Sequence, residues 1–146
     1  MTRLIDLNKE TYYIANHAIA ELQELKIPHV VTSTKRTLEE QRALYAQGRE
    51  SLKEVNRLRK IAEMRPIGID ENGYTVTNCD GIKYKSNHQS GDAIDIVPME
   101  NGKAIWPDAK DRRWNTIAFV MIKHGFEWGG DWKQFPDFPH YQRVIK

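Results

Sequence analysis

The stretch Ser86-Asn87-His88-Gln89-Ser90-Gly91-Asp92-Ala93-Ile94-Asp95-Ile96-Val97 decides how this chain is read. Residues 93 to 97 form a short apolar run with β-branched side chains, the pattern of a buried strand. A carboxylate between Ile94 and Ile96 is costly in such a strand unless a partner stabilises its ionised form. A metal ion is the strongest candidate for that partner. His88 stands seven residues upstream of Asp95, and the intervening Gly91 lets the backbone fold so that imidazole and carboxylate meet. Taken singly, each has a plainer reading, as a hydrogen-bonded loop histidine and a turn-capping aspartate.

A second segment with chemistry lies later, Trp128-Gly129-Gly130-Asp131-Trp132-Lys133-Gln134-Phe135-Pro136-Asp137-Phe138-Pro139-His140-Tyr141-Gln142. Pro136 and Pro139 deny it a regular helix and fix local dihedrals, which holds Asp137 and His140 in one orientation. Two histidines and one carboxylate, with a fourth position open to water, is the composition of a catalytic zinc site. A structural zinc site normally fills all four positions, mostly with thiolates, and Cys79 is the only cysteine. The same count excludes an intrachain disulfide. His17 on a helix, His124 at a helix C-terminus and His29 at a strand start read as structural. The aromatics Trp128, Trp132, Phe135 and Phe138 read as core and cleft wall.

Outward from these segments, Ile14, Ala18, Leu22 and Leu25 share one stripe of a helix spanning Asn8 to Leu25, which ends before Pro28. His29-Val30-Val31-Thr32-Ser33 reads as a buried strand. Thr37 and Glu40 have capping-box spacing, and Gly48 stops the helix they open. Leu52, Val55, Leu58 and Ile61 mark a further helix whose basic residues read as a solvated face, the alternative being a contact for an anionic polymer. Turns at Asn72-Gly73 and Asp80-Gly81 flank an expected strand over residues 74 to 77. A last helix runs roughly from Arg112 to His124, with Ile117, Val120 and Met121 inward. Irregularly alternating helices and short strands predict an α+β fold, a small antiparallel sheet with helices packed against it.

A length of 146 residues predicts one compact domain over 1–146, with no room for a second. With 40% hydrophobic and 29% charged residues the chain is globular, and disorder, collagen-like repeats and coiled-coil arrays are excluded. A formal charge of +2 leaves no global attraction to a polyanion. The basic segment from 49 to 65 lacks interleaved stacking aromatics, so no nucleic-acid partner is expected. The N-terminus lacks the apolar stretch of a secretory signal, and no apolar run is long enough to span a bilayer. Synthesis and retention in the cytoplasm are therefore expected, with no stable membrane association.

These residues resemble a known family. Ser86, His88, Gly91, Ala93 and Asp95 match the S-x-H-x-x-G-x-A-x-D signature, and Asp137, Pro139 and His140 match the D-x-P-H signature, of zinc peptidases that cut peptidoglycan peptides. The family includes D-Ala-D-Ala carboxypeptidases and the L-alanyl-D-glutamate endopeptidases of phage endolysins, and shares its fold with the hedgehog signalling domain. Ser33-Thr34-Lys35-Arg36-Thr37 resembles the family's S-x-x-R-[ST] element, followed by Gln41 in the next helix. The Trp128-Gly129-Gly130-Asp131-Trp132 run resembles the endolysin branch. The resemblance covers roughly residues 29 to 48 and 73 to 143. Thr34 and Lys35 depart from it, standing where relatives usually carry a small residue and an aromatic.

The resemblance implies that His88, Asp95 and His140 ligate Zn2+ and that Asp137 is the general base, the alternative for Asp137 being a carboxylate that orients a ligand imidazole. Arg36 is implied to face the oxyanion or a substrate carboxylate, against a plain salt bridge with Glu39 or Glu40. Ser86 is implied to support the metal loop, and Gln41 and Trp128 the substrate cleft. The leading expectation is a monomeric endolysin that acts on bacterial peptidoglycan, released from the host cytoplasm through a membrane pore. A D-Ala-D-Ala carboxypeptidase is the alternative within the enzyme class. A non-catalytic, zinc-stabilised binding module is the alternative outside it.

Overall fold

The computed structural model describes residues 3–82 and 87–144. In chain order the elements are α1 (Lys9–Glu24), β1 (His29–Ser33), α2 (Leu38–Ala46), α3 (Leu52–Ile61), α4 (Asn87–Ser90), β2 (Ala93–Glu100), β3 (Lys103–Ala104), α5 (Arg112–Lys123), β4 (Phe126–Trp128) and β5 (His140–Arg143). They form two compact units, Met1–Lys35 with Ser90–Lys146, and Arg36–Gln89. The short helix α4 runs across the division. Among the described residues no helix is long and apolar enough to cross a membrane.

The first unit is built on an antiparallel sheet of order β1-β2-β5-β4, with β3 paired to β2. Side chains alternate across a strand, so Ile94, Ile96 and Tyr141 join one core while Asp95 and His140 face the other way. That core is completed by Ala15, Ala18 and Leu22 of α1 and by Trp114, Ile117 and Met121 of α5. Leu25, expected on the inward stripe of α1, instead lies beyond the helix and is 55% exposed. The next residue, Lys26, adopts φ 58 and turns the chain away from the helix axis before Leu25 can reach the core.

An ion pair between the buried Asp92 and the half-buried Arg143 pins the two strands that matter most. The Asp92 carboxylate accepts hydrogen bonds from Thr11 Oγ1 at 3.1 Å, Ser90 Oγ at 2.9 Å and Arg143 Nη2 at 3.2 Å. Arg143 also donates through Nε to Thr11 Oγ1 and through Nη1 to Glu10 Oε2, each at 2.9 Å. Burying such a charge is costly unless its hydrogen-bonding capacity is met, and here it is met from three elements. The result fixes the start of β2 beside the end of β5 and thereby the register between them.

Gly91 links α4 to β2 at φ +79, a left-handed conformation that favours glycine. Its carbonyl accepts from the Asn8 N–H at 3.0 Å, and a Cβ at this position would lie 2.8 Å from that same nitrogen. The glycine of the first motif is therefore demanded both by dihedral and by close backbone approach.

In the second unit α2 opens with the expected capping box. Thr37 Oγ1 accepts from Glu40 N–H at 3.1 Å, and Glu40 Oε1 accepts from Thr37 N–H at 2.9 Å. Ala46, Val55 and Ile67 form its small core, with Leu52 and Leu58 against them. Two basic residues of α3 are tied internally: Arg57 pairs with Glu54, and the buried Arg59 donates to the Arg65 carbonyl at 2.6 Å. The strand expected over residues 74 to 77 does not form. Tyr74 and Val76 are exposed, so no buried face favours pairing there, and Thr77 Oγ1 instead accepts from Gln41 Nε2.

Candidate metal centre

Asp95 and His140 are directly opposite each other across the β2–β5 ladder. Oδ1 of Asp95 lies 3.4 Å from Nδ1 of His140. His140 is 7% exposed, and its ring centroid lies 5.2 Å from that of Trp132. Burial pushes the imidazole pKa down, but the hydrogen bond and negative charge of Asp95, with Gln142 and the charge of Asp137, outweigh it and hold it above the usual range. The other ring nitrogen, Nε2, is 2.9 Å from Gln142 Oε1.

His88 sits in α4 and is 2% exposed. One ligand atom from each of His88, Asp95 and His140 lies within 4.8 Å of the others, and this is the group among the described residues fit to hold a metal ion. At bond lengths of about 2.0–2.2 Å, ligands sharing one ion must converge in this way. Two imidazole nitrogens and a carboxylate oxygen are a donor set suited to zinc. Ser86, expected to support this loop, lies outside the described residues.

Asp137 is exposed and reaches His140 through one backbone turn. Its N–H donates to the Gly129 carbonyl at 2.9 Å, and its own carbonyl accepts from the His140 N–H at 3.2 Å. A Cβ on Gly129 would lie 2.5 Å from the Asp137 carbonyl oxygen and 3.1 Å from the His140 Cβ, so the first glycine after Trp128 lets these segments touch. Trp128 itself is buried and donates from Nε1 to the Phe138 carbonyl at 2.8 Å. It braces the turn from the core side. Phe138 packs against the same core, whereas Phe135 is 77% exposed, so the aromatic run divides between core and surface.

In the second unit, the Arg36 N–H donates to the His88 carbonyl at 2.9 Å. Its Nη1 donates to Gln41 Oε1 at 3.2 Å, and the buried Gln41 amide donates in turn to Cys79 O at 2.8 Å and Thr77 Oγ1 at 3.2 Å. Gln41 thus holds the guanidinium and the 77–79 loop together. Two side chains were not singled out in the sequence: Gln142, beside His140, and Glu127, whose Oε2 accepts from Gln142 Nε2 at 2.8 Å. The signal for Gln142 was its place two residues after His140, which on a strand means the same face.

Residues 80–143 match the family model described as D-alanyl-D-alanine carboxypeptidase. This segment of the chain is similar to that family. Peptidoglycan L-alanyl-D-glutamate endopeptidase CwlK of Bacillus subtilis (strain 168) is 31% identical over 122 residues, covering 79% of this chain and 60% of that protein. The L-alanyl-D-glutamate peptidase of Listeria phage A118 is 39% identical over 59 residues, 40% of this chain and 21% of that protein. The chain therefore spans well under the full length of both relatives. Among solved structures, Serratia marcescens L-Ala D-Glu endopeptidase ChiX matches with TM-score 0.59 and 20% identity over 97% of this chain and 83% of its own. Vancomycin resistance D,D-pentapeptidase VanY in complex with Zn(II) matches with TM-score 0.59 and 15% identity over 95% and 73%. The expected α+β fold of this peptidase family is the fold observed.

Proposed function

We propose that this chain is a zinc-dependent peptidoglycan endopeptidase that hydrolyses the L-alanyl-D-glutamate bond of the stem peptide. The observation that carries this reading is the convergence of His88, Asp95 and His140 with Asp137 one backbone turn from a ligand. Three protein donors leave a coordination position for a reactant, as a catalytic centre requires. The choice of bond is supported by the two sequence relatives, both named for L-alanyl-D-glutamate cleavage.

His88, Asp95 and His140 would hold the ion. Zinc, when bound, supplies Lewis-acid polarisation and lowers the pKa of a coordinated water to about 7. The Asp137 carboxylate takes the proton from the attacking water. As the water oxygen bonds to the alanyl carbonyl carbon and the C–N bond breaks, Asp137 returns that proton to the departing glutamate nitrogen. Arg36, oriented by Gln41, offsets negative charge on the carbonyl oxygen or on a substrate carboxylate. In this reading the enzyme is a monomeric endolysin with lytic, antimicrobial action, held in the host cytoplasm until a membrane pore admits it to the periplasmic wall.

Mass spectrometry of purified muropeptides digested by zinc-loaded protein tests the reading. Products beginning with D-glutamate are expected. Release of free D-alanine would assign the carboxypeptidase reaction instead, and wall binding without any product would assign a binding module.

A further inference from the structure

Beyond its contact with Asp95, His140 begins a line of hydrogen bonds toward β4. His140 Nε2 and Gln142 Oε1 are 2.9 Å apart, and Gln142 Nε2 donates to Glu127 Oε2 at 2.8 Å. Strand geometry builds this line. His140 and Gln142 are two apart on β5 and share a face, while Glu127 of β4 is the direct register partner of Gln142.

The polarity of the line follows from its far end. An ionised carboxylate can only accept, so Glu127 commits the amide nitrogen of Gln142 to its own side. The amide oxygen is then left facing the imidazole. An oxygen there requires a hydrogen on Nε2, and a neutral imidazole with hydrogen on Nε2 carries its lone pair on Nδ1. Nδ1 is the nitrogen that faces Asp95, 3.4 Å from Oδ1.

We propose that Gln142 and Glu127 are positioning residues that fix His140 as the Nε2–H tautomer and aim its Nδ1 lone pair at the divalent cation. This rests on the reading of His140 as a metal ligand and adds to it. Glu127 acts at one remove: it orients the amide, and the amide orients the ring. An amide interposed between carboxylate and imidazole does here what a carboxylate bonded directly to a ligand histidine does in many metal sites.

The test is zinc affinity by chelator competition, paired with nitrogen-15 shifts of the His140 ring in zinc-loaded protein. Gln142→Leu removes the acceptor and should weaken zinc binding by about 10- to 100-fold. It should also erode the preference for the Nε2–H tautomer. The double variant Gln142→Glu with Glu127→Gln keeps an acceptor oxygen at the ring and an amide–carboxylate pair across the strands, and it should restore both properties, which a purely structural role would not require. Glu127→Leu should lie between wild type and Gln142→Leu. Unfolding midpoints of the metal-free variants separate these effects from misfolding. Gln142→Leu protein that folds, binds zinc within about twofold of wild type and keeps the wild-type ring shifts would overturn the proposal. A wild-type protein that binds no zinc would instead remove the underlying reading of the metal centre.

Discussion

Asp95 and His140, 45 residues apart in sequence, are register partners on adjacent central strands, with carboxylate and imidazole atoms 3.4 Å apart. Their meeting is fixed by backbone pairing and by the Asp92–Arg143 clamp at the strand ends. Two ligands of the candidate centre are thus set by the sheet before any ion arrives, which limits the ordering cost of binding.

Asp95→Asn preserves shape and removes the charge. Zinc affinity should fall by about 100-fold or more, beyond the range typical for groups that only orient a ligand. Chelator competition measures this, and circular dichroism should show an unchanged fold. Zinc affinity close to wild type would exclude Asp95 as a ligand.

Asp137→Ala should keep zinc and lose about 10²–10⁴ in kcat, the usual contribution of a positioned general base. Turnover on muropeptides together with metal content per chain distinguishes this from an orienting role, in which the metal itself would be lost.

Gly129→Ala places a methyl group 2.5 Å from the Asp137 carbonyl oxygen, a backbone atom that cannot swing aside. A destabilisation of about 1–3 kcal/mol is expected from the forced shift. Urea unfolding reads it, and zinc affinity should fall in parallel because the displaced turn carries His140.

Tyr141→Phe should leave stability unchanged or raise it by about 1 kcal/mol. Among the described residues the buried Tyr141 hydroxyl has no hydrogen-bond partner, and removing an unsatisfied polar atom lifts its desolvation cost. Burial, with the Asp95 charge, pushes its ionisation far above the ordinary phenol range, so no titration complicates the comparison. A marked loss of stability in thermal melts would show that the hydroxyl has a bonded partner.

Asp111 caps α5, accepting from the Arg113 side chain and backbone N–H, and these bonds lower its pKa from 3.8 to about 2. A folded-state pKa below the unfolded value gives stability that is present above the unfolded value and lost as pH falls through the folded one. Wild type should therefore melt higher than Asp111→Asn at pH 5, with the gap narrowing between about pH 4 and pH 2. A gap independent of pH would show that the charge contributes nothing.

Local rules made much of this molecule readable. The Thr37–Glu40 capping box, the apolar spacing of α1 and α5 and the β-branched runs of β1 and β2 are short-range signals, and the structure uses them. The strand β5 was not legible because its entry is written in prolines and its pairing is with residues far away in sequence. For the same reason Glu127 went unnoticed, since only the β4–β5 register brings it opposite Gln142. Leu25 was misread because a left-handed residue after the helix overrides the hydrophobic stripe. His88, Asp95, His140 and Asp137 were visible as residue types in sequence. The distances among the first three belong to the tertiary fold alone.

The position of β5 between β2 and β4 also sets when the site can exist during synthesis. It emerges from the ribosome after every other strand of its sheet, yet it fills the interior gap, so a nascent chain lacking it leaves β4 unpaired and one edge of β2 open, and carries only two of the three side chains of the candidate centre. Completion of the candidate metal group and closure of the sheet are thereby deferred to the same late moment.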